Sequence, residues 1–236
     1  MMYTFEFAGI SSSDYGIYVL DKPNRGYKVE RAYDSVAVPG RNGDLHIDSG
    51  RYNNIDMTYQ CVAMQDADKR LTALNAALVS KVGYQRLEDS FDPDCYRLAV
   101  CVRGLDVTPG KGRDAASADV MFRCKPQLFL KSGEFAVEYT SSGSIYNSED
   151  FTALPLIRIY GKGTLGVGDV DITFDGSSEY VDIDCDIQDA YHEQTNKNAS
   201  IVLSPNRFPA LHPGENGIVL GDGITKVEVT PRWWRI

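Results

Sequence analysis

Residues 169–187 read DVDITFDGSSEYVDIDCDI, and this stretch decides the fold class. Val170, Ile172 and Phe174 alternate with Asp169, Asp171, Thr173 and Asp175. After Asp175-Gly176, the apolar Val181, Ile183, Cys185 and Ile187 alternate with Asp182, Asp184 and Asp186. A period of two with one acidic face predicts antiparallel strands that bury one side and wet the other. An Asp-Gly pair between such runs is a turn signal. Outward from this stretch the pattern repeats. Tyr3, Phe5 and Phe7 share one face, as do Phe135, Val137 and Tyr139, and Pro213-Gly214, Asn216-Gly217 and Asp222-Gly223 supply further turns. With 14 Tyr, 9 Phe, 21 Gly and 10 Pro, the composition favours strands and turns throughout.

One segment departs from that period. Residues 66–82, DADKRLTALNAALVSKV, place Leu71, Leu74, Leu78 and Val82 at helical spacing, with Asp66 or Asp68 as N-cap and Gly83 after the end. The expected fold is all-β with one α-helix. The length of 236 residues suits two modules, 1–130 and 131–236, both β-sandwich-like, with the helix on the first. Residues 140–150 (TSSGSIYNSED) read equally as a linker or as a long hairpin loop inside the second module.

Charge separates the modules. Residues 1–130 hold 16 Lys/Arg against 17 Asp/Glu, a net of −1, whereas residues 131–236 hold 8 against 16, a net of −8. Neither half offers the basic cluster that phosphate neutralisation requires, so no specific nucleic-acid partner is expected. No apolar run reaches the length of a membrane span, and the opening MMYTFEFAGI reads as no secretory signal, so assembly in a cytoplasm is expected. The five cysteines (Cys61, Cys95, Cys101, Cys124, Cys185) form no CxxC pair and read as reduced, mostly buried thiols.

Candidate chemistry is sparse. Gly161, Gly163 and Gly166 satisfy GxGxxG formally, but a strand follows where a dinucleotide site needs a helix. Asp182, Asp184 and Asp186 begin like a calcium loop, yet the sixth position is Ile187 where a Gly belongs, and solvated carboxylates are the simpler reading. His46, His192 and His212 lie beside no nucleophile motif. Trp233-Trp234 suggests one ring in the core and the other facing solvent. No catalytic residue, metal or cofactor is implied. Residues 38–44, VPGRNGD, read as an exposed loop or hairpin tip.

Taken in order, several segments resemble the distal tail protein family of siphophages. They are FAGISSSDYGIYV near the N-terminus, VPGRNGDL followed by RYNNIDMTYQC, VMFRCKPQLFL, ALPLIRIYGKG, VDIDC, FPALHPGENGI and the terminal PRWWRI. The resemblance implies an N-terminal, tail-tube-related domain that forms a hexameric ring, and a C-terminal galectin-like sandwich. It implies a structural hub, not an enzyme, at the virion tail tip. Its expected partners are other copies of itself, the tail tube protein, the tail-associated tip protein and the receptor-binding apparatus. Arg41, Asn42, Gly43 and Asp44 are the expected inter-subunit loop. Two alternatives stand beside this reading: a carbohydrate-binding module that contacts host cell-wall glycans, and a tail-borne hydrolase.

Overall fold

The computed structural model describes residues 2–23, 29–110 and 114–236. Its chain divides into two compact units, Met1–Leu128 with Ile236, and Phe129–Arg235. The first contains β1 (Phe5–Phe7), β2 (Ile10–Ser11), β3 (Ile17–Val19), β4 (Arg31–Ala37), β5 (Asp44–Tyr52), β6 (Ile55–Met64), α1 (Ala67–Val79), β7 (Gln85–Asp89), β8 (Cys95–Cys101), β9 (Asp106–Pro109) and β10 (Ala115–Cys124). Strand β11 (Leu128–Leu130) spans the division. The second unit contains β12 (Val137–Tyr139), β13 (Gly143–Asn147), β14 (Leu156–Gly161), β15 (Gly163–Val167), β16 (Val170–Phe174), β17 (Tyr180–Asp184), β18 (Asp189–His192), β19 (Thr195–Asn196), β20 (Ile201–Ser204), β21 (Gly214–Leu220), β22 (Ile224–Thr230) and β23 (Trp234–Arg235).

In the first unit the main sheet runs β2-β1-β7-β8-β10-β6-β3, with β9 beside the first half of β10. This sheet is rolled. Strands β1 and β6 stand four places apart in the order, which would separate them by roughly 19 Å in a flat sheet. Yet the rings of Phe5 and Tyr59 lie 5.2 Å apart, and a bridge between Tyr3 and Val19 joins β3 to the residues just before β1. Alternate residues of β6 and β10 (Met57, Tyr59, Cys61, Val120, Phe122) point into the roll together with Phe5 and Phe7. Helix α1 adds Leu71, Leu74 and Leu78 to the same core. It is shorter than the sequence suggests, ending at Val79, because Ser80 and Lys81 close its last turn onto Ala76 and Leu78 and leave Val82 exposed. Asp66 occupies the N-cap position as one of the two expected aspartates, but it sits in the left-handed region and makes no side-chain cap bond, while Asp68 lies within the first turn.

The second unit is a sandwich. A six-stranded sheet, β12-β22-β14-β17-β18-β19, and a five-stranded sheet, β13-β21-β15-β16-β20, share one core. Ile157, Ile159, Val181, Ile183, Val227 and Val229 come from the first, and Leu165, Val167, Ile172, Phe174 and Ile218 from the second. Residues 140–150 are therefore no linker, since β13 lies among them and pairs with β21. Two expected inward residues face out. Ile187 is exposed because β17 ends at Asp184 and the chain turns before β18. Phe135 is exposed because it precedes the short edge strand β12, which itself leaves Val137 partly in water.

Four of the five thiols are buried as expected. Burial pushes Cys61, Cys124 and Cys185 up to about 12, far above an ordinary thiol.

Candidate functional site

Strands β4 and β5 stand apart from the rolled sheet as a two-stranded sheet of their own. Their register pairs Val36 with Leu45, Ser35 with His46, Asp34 with Ile47 and Tyr33 with Asp48. Directly opposed residues share a face. Val36, Leu45 and Ile47 therefore lie together on one side, with Asp34 as the polar member. These three apolar side chains are 47%, 51% and 51% exposed. The opposite face is polar and internally satisfied. Ser35 donates to Asp44 at 2.7 Å, and the rings of Tyr33 and His46 meet edge-on at 4.8 Å. At the base, Arg31 donates to Asp48 at 2.8 Å while its guanidinium lies over the Tyr52 ring. A hydrogen bond from Gly50 N–H, the largest influence, helps hold the Asp48 carboxyl below its ordinary range. The arm is thus tied together along its polar face, with an apolar row left about half in water.

The loop singled out in the sequence lies at its tip. Arg41, Asn42, Gly43 and Asp44 are all exposed. Arg41 N–H donates to Val38 C=O at 3.2 Å, closing the first turn, and Gly40 and Gly43 take φ of +79° and +81°. Those are left-handed values at which a side chain would be strained.

The outer face of the six-stranded sheet carries the other concentration of functional groups. Arg158 on β14 grips Asp182 on β17 with two hydrogen bonds, at 2.7 and 2.9 Å. Arg232 grips Asp184 in the same way, at 2.6 and 2.9 Å. Asp182 and Asp184 are only 4% and 8% exposed, which corrects the expectation of solvated carboxylates. The Arg232 hydrogen bonds hold the Asp184 carboxyl below its usual range, against the opposing effect of burial. Bonding to Asp182 raises the Arg158 guanidinium still further above its ordinary value. Arg158 lies 4.2 Å from the Tyr180 ring centre and Lys226 4.2 Å from that of Tyr160, so cations already cover these aromatic faces. With both buried aspartates committed to arginines, the partial calcium pattern has no ion to serve.

The remaining candidates separate. A Cβ on Gly161 would lie 2.2 Å from Gly223 C=O, and one on Gly163 would lie 2.3 Å from Asp222 C=O. These glycines therefore permit close backbone packing. His46 belongs to the arm, His192 meets the Tyr180 ring at 4.3 Å, and His212 lies 3.3 Å from the Thr152 hydroxyl, so the three occupy separate elements. The tryptophans differ from expectation, since both are half-buried against the core. Arg232 takes φ of +58° and breaks the strand alternation before them. Trp234 then stacks on Phe151 at 4.5 Å and donates its indole N–H to Thr152 C=O at 3.0 Å. Sequence reasoning missed the two arginine clamps. Their signal was present: Arg158 sits between Ile157 and Ile159, on the polar face of a strand able to oppose the acidic one.

No family model and no curated protein matches the chain. Among solved structures, the crystal structure of SPP1 Dit (gp 19.1) matches over 100% of both chains, with a TM-score of 0.70 and 14% sequence identity. That protein is described as a paradigm of the hub adsorption apparatus in phages infecting Gram-positive bacteria. At this identity the likeness establishes a shared fold, end to end.

Proposed function

We propose that the chain is a distal tail protein of a siphophage, a structural hub whose hexameric ring joins the tail tube to the host-adsorption tip. The observation that carries this reading is the full-length fold likeness, which spans both units of the chain. A second observation supports it. The β4–β5 arm keeps a row of apolar side chains in water, and an isolated two-stranded hairpin is only marginally stable by itself. Such an arm is suited to lie on a neighbouring copy.

In this account the first unit builds the ring. A closed ring uses heterologous contacts, in which one patch of each subunit meets a different patch of the next. The apolar row Val36, Leu45 and Ile47 is the donated patch, and Arg41, Asn42, Gly43 and Asp44 form the leading contact. The ring docks on the tail tube protein at one side and on the tail-associated tip protein at the other. The galectin-like second unit serves the receptor-binding apparatus. The protein works at the virion tail tip after assembly in the host cytoplasm, and it converts no substrate.

The carbohydrate-binding alternative is weaker. Its best surface would be the outer face of the six-stranded sheet, where cations cover the Tyr160 and Tyr180 rings and the Asp182 and Asp184 carboxylates are already gripped. Sugar stacking needs an open aromatic face. A glycan array with saturable binding to this unit would reverse that ranking.

Light scattering and negative-stain imaging of the purified protein test the hub. Six-membered rings, in solution or labelled at tail tips, are the expected result. A chain that stays single at every concentration and is missing from virions would overturn the proposal.

A further inference from the structure

We propose that Asn42 is a site of spontaneous deamidation, and that the fold spares the second Asn-Gly pair of the chain, Asn216-Gly217, from the same reaction. The two pairs are chemically alike in sequence. In both, the following glycine carries no side chain to hinder attack by its backbone nitrogen. Their surroundings are opposite.

Asn42 lies in the exposed turn between β4 and β5, and among the described residues no hydrogen bond holds its side-chain amide. A Cβ would find nothing within 4 Å at either Gly43 or Gly217, so the contrast lies in the asparagine side chains, and that of Asn42 is unheld. The side chain is therefore free to rotate until Cγ meets the Gly43 nitrogen, and water has open access. Asn216 is 3% exposed and lies within β21, paired with Ile145 of β13. Its Oδ1 accepts from His212 N–H at 2.9 Å, while its Nδ2 donates to His212 C=O at 2.8 Å and Gly214 C=O at 3.1 Å. Those bonds hold the side-chain amide and oppose its rotation toward the following nitrogen.

The reaction needs only water and hydroxide. Hydroxide removes the Gly43 amide proton, and the nitrogen bonds to Cγ of Asn42. The Cγ–Nδ2 bond breaks, and the amide nitrogen leaves as ammonia with a proton from water. Water then adds across either C–N bond of the cyclic imide, giving aspartate or isoaspartate at position 42. Both products add a negative charge beside Asp44. The isoaspartate also routes the main chain through the former side chain, lengthening a turn on which the β4–β5 register depends. The inference concerns the single subunit, since the ring contact proposed above for Arg41, Asn42, Gly43 and Asp44 would cover the site.

The test holds the full-length protein, diluted until light scattering shows single subunits, in mildly alkaline buffer, native or in urea, and follows the two peptides by mass spectrometry and enzymatic methylation of isoaspartate. In the native sample the residue-42 peptide is expected to change first, ahead of the residue-216 peptide by at least about tenfold in rate, equivalent to about 1.4 kcal/mol of barrier. In urea the two should converge. Asn42→Gln should abolish the native methylation signal of the residue-42 peptide. Either of two results overturns the proposal: Asn42 stays intact in the native protein while reacting in urea, or Asn216 keeps pace with it without denaturant.

Discussion

The β4–β5 arm and strand β17 both alternate apolar with polar or acidic residues, and their burial runs in opposite senses. On the arm, Val36, Leu45 and Ile47 share one face and remain about half in water. On β17, Val181 and Ile183 are buried as the pattern suggests, but so are Asp182 and Asp184 on the other face. Alternation reports which side chains share a face, because successive strand residues point to opposite sides. It does not report which face stays wet. That is decided by what lies across from the strand: two guanidinium groups and a set of rings over β17, and water over about half of the apolar row of the arm.

The largest expected effect breaks the comparison at the arm. Replacing Val36, Leu45 and Ile47 together by Ser should remove about 1 kcal/mol of burial at each position in an assembled contact, roughly 3 kcal/mol in all. The dissociation constant would then rise by more than about a hundredfold. Sedimentation would show smaller species, while the urea midpoint of the subunit would barely move, since exposed positions usually shift stability by within about 0.5 kcal/mol. A large fall in that midpoint would mean that the row packs within its own chain.

The next effect sharpens the other side. Asp184→Ala leaves Arg232 without its partner and should cost the second unit about 2 kcal/mol by urea denaturation. That lies below the range for a fully enclosed pair because the Arg232 side chain is 29% exposed. An unchanged midpoint would show that Arg232 is as well served by water.

Acid should act in the same direction. The Asp184 carboxyl is held below its ordinary value in the folded state, so its contribution is fully present above pH about 3.9 and fades as pH falls through the lower folded value. Thermal scans down through that window should show the wild-type second unit losing stability and the Asp184→Ala protein losing less of it. Equal losses would assign the acid sensitivity to other carboxylates.

The smallest effect belongs to the arm tip, where Arg41→Ala should change subunit stability by less than about 0.5 kcal/mol. If the tip leads the contact, chemical cross-linking between copies should drop noticeably. Unaltered cross-linking would move that contact elsewhere on the arm.

Much of the fold was legible from the residues, and the failures have local causes. The core of the sandwich follows directly from the alternation at Val170, Ile172, Phe174, Val181 and Ile183. Leucine spacing located α1, but its end was misread because Val82 continues the apolar spacing beyond the turn that Ser80 and Lys81 close. Ile187 was misplaced because a pattern of period two runs on through a turn without registering it. The exposed tip at Arg41–Asp44 was readable from its turn residues. The independence of the arm from the rolled sheet was not, because β4 and β5 carry the same local signals as strands inside a sheet. The arginine clamps were hidden for a different reason: they join residues 24 and 48 positions apart.

The buried thiols bear on what happens once the protein meets air. Disulfide exchange and attack by oxidants begin from the thiolate, and groups raised to about 12 supply almost none of it near neutrality. Cys101 is the partly open one. These three thiols therefore need no reductant to stay unreacted, and storage of the protein in oxygenated water should leave both cores chemically untouched.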